Sequence, residues 1–150
     1  MSKSVLISIK PKWCELIAKG KKTLEVRKTR PKLKTPFKVY IYCTQDGRRM
    51  TAEERVKSDY AYANGKVICE FVCDEIERVD IPYPAYQDKL DKRYIEQSCV
   101  PYKALHRYCY HDDAYFWHIS NLKIYDKPRE LVELGKERPP QSWCYVEQGG

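Results

Sequence analysis

The spacing of apolar residues changes along the N-terminal part of the chain, from a strand-like run to a helical stripe. Residues 5–9 are almost all apolar, which is typical of a buried strand. Pro11 suits the first turn of a helix, and Gly20 stands where a left-handed residue ends one. Between them lies an apolar stripe at helical spacing, formed by Trp13, Leu16 and Ile17. We therefore predict a strand, a short helix and a second strand over residues 23–27.

Further strands and helices follow from the same patterns. Residues 39–43 alternate, with Tyr40 and Tyr42 on one face, and residues 66–79 predict one long two-sided strand that bends around a barrel. The remaining predicted elements are a charged helical segment at 51–62, one or two short helices within 88–110 broken near Pro101, and strands at 115–125 and 142–147. About six strands with two or three helices favour a mixed α/β domain, mainly β and closed as a small barrel, over an open parallel sheet.

Length and cysteine content limit the possible classes of protein. A chain of 150 residues is about one domain, and it is long enough to bury a core without disulfides. The seven cysteines are irregularly spaced, and no apolar run approaches the ~20 residues of a membrane span. We expect a soluble cytoplasmic protein, a single domain over 1–150, with free thiols and no membrane partner.

Charge is distributed unevenly between the two ends of the chain. Residues 1–50 carry 14 Lys and Arg against 3 Asp and Glu, whereas the rest carries 14 against 18. A basic first third suggests a surface that faces a polyanion, and nucleic acid is the obvious candidate. Residues 28–36 form a basic loop interrupted by prolines, whose Arg30, Lys32 and Lys34 could contact phosphates or could simply be solvated.

The stretch from Gly20 to Arg27 carries the strongest candidate chemistry. On a strand, Glu25 and Arg27 point to one face, where a carboxylate and a guanidinium can pair, and Lys22 can lean towards them from the turn. Such a trio suits a polar ligand that is anionic or resembles a nucleobase. The alternative is an ordinary surface strand with alternating charges.

The pattern Gly20-x-Lys22-x-x-Glu25-x-Arg27 resembles the signature of the ASCH domain, a PUA-like β-barrel family associated with RNA metabolism. The opening residues 6–11 lead into a helix directly ahead of the signature, and the stretches 117–122 and 138–145 look like phage- and prophage-type members of that family. The resemblance implies a pseudo-barrel with a cleft beside the first helix, lined by the signature residues, that receives RNA, a nucleoside or a nucleotide. The candidate ligand-binding residues are Ser8, Lys10, Lys21, Lys22, Glu25, Arg27, Arg30, Lys32, Lys34, Tyr42, Ser120 and Lys123.

An enzyme acting on RNA or a modified nucleoside is the alternative to a binding module. Some small ASCH proteins are acetylcytidine amidohydrolases with a threonine nucleophile where this chain has Glu25, and glutamate cannot form an alkoxide. Other ASCH proteins are associated with RNA cleavage, and Lys22 and Glu25 could act as acid and base if the pKa of Lys22 were lowered. Arg27 works against this role because a nearby cation keeps Glu25 ionised, so binding is the favoured interpretation.

We expect no cofactor and no metal ion. The spacing of Cys99, His106, Cys109 and His111 fits no standard structural zinc site. Ser120 lacks the Gly-x-Ser-x-Gly context of a hydrolase nucleophile, although its hydroxyl could orient a ligand if its strand borders the cleft.

Overall fold

A computed structural model describes residues 3–45 and 65–147, and strands dominate its regular structure. The strands are β1 Lys3–Ile9, β2 Leu24–Arg27, β3 Phe37–Cys43, β4 Lys66–Cys73, β5 Ile76–Val79, β6 Ala114–His118, β7 Ser120–Arg129 and β8 Trp143–Glu147. The helices are α1 Pro11–Ala18, α2 Lys92–Ser98 and α3 Tyr102–Tyr108, with 3₁₀ turns at Pro84–Lys89 and Leu131–Leu134. The helical segment expected at 51–62 lies outside the described residues.

The strands form two sheets. A five-stranded sheet has the order β7-β4-β3-β1-β8, in which β1 and β3 are parallel, and a three-stranded antiparallel sheet has the order β2-β6-β5. The prediction of a mixed α/β domain that is mainly β is therefore confirmed. Over the described ranges the sheets do not close into one barrel, so that part of the expectation is not met. No helix in those ranges is long and apolar enough to cross a bilayer.

Two predicted strands are each split between the sheets. The run at 66–79 breaks at Asp74 and Glu75, after which the chain leaves β4 and enters β5. The run at 115–125 breaks at Ile119, between β6 and β7. Backbone hydrogen bonds hold both breaks, since the His118 N–H donates to the Glu75 carbonyl at 3.0 Å and the Ile119 N–H to the Thr23 carbonyl at 3.0 Å. These crossings replace the two continuous strands that the apolar pattern predicted, of which only the one at 66–79 was expected to bend.

The core lies between the two sheets and around Trp117, which is fully buried. Ile17 of α1 packs into this core, while Trp13 and Leu16 of the same stripe are only partly buried. Fully burying an aliphatic side chain of this size contributes about 1.5–3 kcal/mol. A second cluster joins Leu105 of α3 to β2 and β6, so α3 is packed against the strand that carries the signature.

Candidate functional site

The end of α1 aims the signature residues towards the interior. Gly20 adopts the left-handed conformation expected at a helix end, with φ +76°. The backbone N–H groups of Lys21 and Lys22 then both donate to the Leu16 carbonyl, at 3.0 and 3.1 Å. The chain turns there and enters β2, so that the Lys22 side chain points inward and is only 1% exposed. A lysine in a turn is ordinarily solvated, and here it is the most buried member of the trio.

Lys22 is surrounded by acceptors and an aromatic ring. Its Nζ donates to the Ser98 carbonyl at 2.6 Å and lies 3.6 Å from Glu25 Oε1. The same nitrogen lies 4.9 Å from the centre of the Trp13 ring. Burial lowers the pKa of Lys22 because the ammonium has lost its water, and the Glu25 carboxylate opposes that shift. The ammonium is thus held in place by the protein on several sides.

Glu25 is a buried carboxylate whose two oxygens differ in their hydrogen bonding. Its Oε1 accepts from the backbone N–H of Val26 at 3.0 Å. Its Oε2 lies 3.5 Å from Arg27 Nη2, beyond good hydrogen-bond distance, and this buried atom has no hydrogen-bond partner among the residues that the structure describes. The side chain is 7% exposed. Two cations therefore offset its charge while one acceptor atom is left over.

Arg27 connects the signature strand to two other parts of the chain. Its Nη1 donates to Ser142 Oγ at 3.0 Å, and its Nη2 donates to the Ser8 carbonyl at 2.8 Å. The Ser8 hydroxyl in turn donates to the Pro140 carbonyl at 2.7 Å. These bonds hold β1, β2 and the segment before β8 together at one edge of the site.

A cavity of about 810 Å³, the cleft, opens above the trio. Its volume falls in the range of ordinary small-molecule sites. Five cationic side chains and one carboxylate line it, and two aromatic rings contribute to its walls. The lining residues are Ser8, Lys10, Lys12, Trp13, Lys22, Glu25, Val26, Arg27, Lys28, Thr29, Thr44, Val100, Ala104, Leu105, Tyr108, Gln141 and Ser142.

A second cavity of about 830 Å³, the basic groove, is formed by the loop that follows β2. Its lining consists of residues 28–35 and Tyr115, so it shares Lys28 and Thr29 with the cleft. The Arg30 guanidinium donates to the carbonyls of Pro31 and Leu33, at 3.2 and 3.1 Å, and so shapes its own loop. The basic groove and the cleft are thus neighbouring parts of one cationic surface.

The structure brings together most of the residues predicted for the site. The cleft contains Ser8, Lys10, Lys22, Glu25 and Arg27, and the basic groove contains Arg30, Lys32 and Lys34.

Four predicted residues lie elsewhere. Lys21 is exposed and lines neither cavity, and Tyr42 is buried in a cluster with Leu6 and Val67 on the other face of the five-stranded sheet. Ser120 donates to Asp74 at 2.9 Å, and Lys123 is exposed on β7. The strand order explains the last two positions, because β7 occupies the sheet edge opposite β8, three positions away from β1.

Several residues of the cleft were not predicted. Lys12 and Lys28 flank the signature in the basic first third, so the charge pattern carried a signal for them. Trp13 was interpreted as core, whereas it also forms part of the cleft wall. Tyr108 and Ser142 are far from the signature in sequence, and no local pattern indicates that α3 and the segment before β8 return to it.

A second cluster of ionisable groups, away from the cleft, contains Glu75, Glu77 and His118. Both oxygens of Glu77 accept from the Arg93 guanidinium, at 2.6 and 3.0 Å, and the His118 ring lies 2.6 Å from the same carboxylate. The Arg93 hydrogen bonds lower the pKa of Glu77 to about 2. Since an arginine already occupies this carboxylate, we interpret the cluster as an ion-pair network linking β5, β6 and α2.

The fold is that of a known class of protein, the ASCH proteins. ASCH from Zymomonas mobilis aligns with a TM-score of 0.70 at 20% identity, covering 97% of this chain and 88% of that one. Its tyrosine-to-phenylalanine variant gives 0.71 at 20%, covering 98% and 92%, and its serine-to-alanine variant gives 0.70 at 19%, covering 97% and 89%. No protein-family model and no curated protein match the chain. At this identity the structures establish the shared fold alone.

Proposed function

We propose that this protein binds RNA, with one nucleoside in the cleft and the adjoining phosphates along the basic groove. The observation that carries the proposal is that Lys28 and Thr29 line both cavities, so a cationic surface runs from the trio to the loop. The ASCH fold is consistent with it, because the signature resembles that of a family associated with RNA metabolism. A cytoplasmic location and a phage- or prophage-type origin belong to the same proposal.

The basic groove supplies the electrostatic part of binding. Lys28, Lys32 and Lys34 are exposed at its lining, where phosphate oxygens can reach them. Each phosphate neutralised by such a side chain releases condensed counterions. The logarithm of the binding constant therefore falls with the logarithm of the salt concentration, with a slope of about −0.7 per phosphate on a single strand. Arg30 contributes less directly, because its guanidinium holds the loop in shape.

The cleft supplies aromatic surface for a base. Tyr108 is 42% exposed at the wall formed by α3, and Trp13 forms part of the wall formed by α1. Stacking of a base on an aromatic ring contributes about 1–3 kcal/mol and tolerates different bases. Single-stranded RNA, whose bases are free to leave the helix stack, fits this arrangement better than duplex RNA does.

Salt dependence of binding tests the proposal. We would titrate a fluorescent single-stranded RNA decamer by anisotropy at several salt concentrations, using the wild type and the Lys28→Gln/Lys32→Gln/Lys34→Gln variant. Loss of these three lysines should reduce the magnitude of the slope of log binding constant against log salt concentration by about 2. A control variant carries the same change at three exposed lysines outside both cavities, Lys89, Lys92 and Lys127. Salt-independent binding, no binding at low salt, or an equal loss in both variants would contradict the proposal.

Catalysis in the same cleft is the second candidate function. The observation in its favour is the lowered pKa of Lys22 beside the Glu25 carboxylate, an arrangement that acid–base chemistry uses. The hydrogen bond from Lys22 to Ser98 and the position of Arg27 beside Glu25 favour binding instead. Incubation with mixed RNA and a panel of modified nucleosides, followed by mass spectrometry, separates the two, since an enzyme yields product and a binding module only retained ligand.

A further inference from the structure

The hydrogen-bonding capacity of the trio is unevenly used. Both cations donate to protein acceptors, Lys22 to the Ser98 carbonyl and Arg27 to Ser8 and Ser142. Within residues 3–45 and 65–147, nothing donates a hydrogen bond to the buried Glu25 Oε2. A buried charged acceptor without a donor is unfavourable, and such atoms are rare unless a ligand, water or ion completes them. The trio, although it has two cations, therefore offers a ligand an acceptor.

We propose that Glu25 selects the base, by accepting a hydrogen bond from the amino group of a nucleobase held in the cleft. This inference rests on the proposed function, and it adds a preference for bases that carry an amino group. The carboxylate lines the cleft, and it stays anchored there through the bond from the Val26 N–H to Oε1. The terminal torsion of a glutamate is soft, so a small rotation can bring Oε2 towards a donor in the cleft while Oε1 keeps its bond from the Val26 N–H.

The position of the other charges orients the ligand. A phosphate would be repelled by a carboxylate at the base of the cleft, whereas Lys10, Lys12 and Lys28 are exposed around it. A ligand that fits has N–H donors at one end and an anion at the other, which describes a nucleotide. The cations Lys22 and Arg27 offset the charge of Glu25, so the cleft need not take up a cation to balance it.

The same geometry disfavours uracil. Its only ring N–H lies between two carbonyl oxygens, which would approach the Glu25 carboxylate together with the donor. An amino group on adenine, cytosine or guanine places donors at the edge without that double repulsion. Hydrogen-bond recognition of this kind discriminates more sharply than stacking, because the unmatched partner leaves a buried polar group unpaired.

The test compares decamers whose bases do and do not carry an amino group. Anisotropy titrations would use r(A) decamer and a decamer of purine riboside, which has the same ring, sugar and phosphates but no amine, together with r(U) decamer. We expect the wild type to bind r(A) decamer about tenfold more tightly than the other two, as for loss of one hydrogen bond to a charged acceptor. In Glu25→Gln this preference should shrink to about threefold or less, since a neutral amide is the weaker acceptor.

A matched control and the contrary outcomes complete the test. Lys10→Gln, at an exposed lining residue, should weaken all three decamers by the same factor and leave the preference unchanged. Equal binding of r(A) and purine riboside decamers by the wild type would overturn the role of Glu25 and leave RNA binding intact. If no decamer binds at low salt, the proposed function fails as well. Circular dichroism checks that Glu25→Gln is folded, and if it is not, the wild-type comparison alone decides.

Discussion

Replacement of Lys22 by methionine tests the buried ion pair. Methionine keeps most of the length of the apolar stem and removes only the ammonium, which donates to the Ser98 carbonyl at 2.6 Å and lies 3.6 Å from Glu25. Removing one member of a buried pair costs about 3–5 kcal/mol, because the other charge stays behind. Arg27 still lies 3.5 Å from Glu25 and partly compensates it. The lower end of that range, about 3 kcal/mol, is therefore the expected loss of stability.

Thermal and urea unfolding followed by circular dichroism measure this loss. For a domain of this size each kcal/mol shifts Tm by about 2–4 °C, so Lys22→Met should melt about 6–12 °C below the wild type. Lys21→Met is the control, since Lys21 is the residue next to Lys22 in the chain but is exposed and lines neither cavity. That change should alter stability by less than about 0.5 kcal/mol.

A double variant separates the charge from the packing. In Lys22→Met/Glu25→Leu the remaining carboxylate is also removed, and replacing a buried pair by apolar groups is often close to neutral. The double variant should therefore recover a large part of the loss. Equal melting of Lys22→Met and Lys21→Met would refute the reasoning, because Lys22 would then not be held as a buried charge. Any loss of RNA binding in a Lys22 variant has to be judged on protein shown to be folded.

Three further predictions concern stability and reactivity. Hydrogen bonds from Arg93 hold the pKa of Glu77 at about 2, so the wild type should lose stability relative to Glu77→Gln as pH falls from about 4.5 to 2 in urea titrations. Gly20→Ala should lower stability by about 1 kcal/mol, since φ is +76° and no atom of the described residues crowds the site, and an unchanged Tm would contradict this. Under native conditions Cys99 and Cys144 should react with Ellman's reagent ahead of the five buried thiols, and uniform rates would contradict the packing.

The local part of the fold could be predicted from the sequence. The strand, helix and left-handed Gly20 before β2 follow from apolar period and turn chemistry, which involve only neighbouring residues. The splits at Asp74 and at Ile119 could not be predicted this way, because each depends on which distant strands pair on either side of the break. Continuous apolar runs do not reveal a change of sheet.

The same distinction between local sequence and tertiary packing applies to the residues of the site. Glu25 and Arg27 were expected to pair because they are two residues apart on a strand. In the structure Arg27 Nη2 lies 3.5 Å from Glu25 Oε2. The depth of Lys22 was not evident, since it results from the packing of α1 and of Ser98 at the end of α2 around it. Tyr108 enters the cleft only because Leu105 of the same helix packs against β2 and β6, which is a tertiary effect.

Ultraviolet cross-linking of a mixed-sequence RNA decamer, with the linked peptides identified by mass spectrometry, tests RNA binding in the cleft most directly. Cross-links should fall on Trp13, on Tyr108 and within residues 28–35, because these groups line the cleft and the basic groove. Among the described residues, Tyr83, Tyr86 and Tyr110 are exposed tyrosines outside both cavities, and they provide an internal comparison. Cross-links confined to those tyrosines, with none in the cleft or the basic groove, would contradict the assignment of the site.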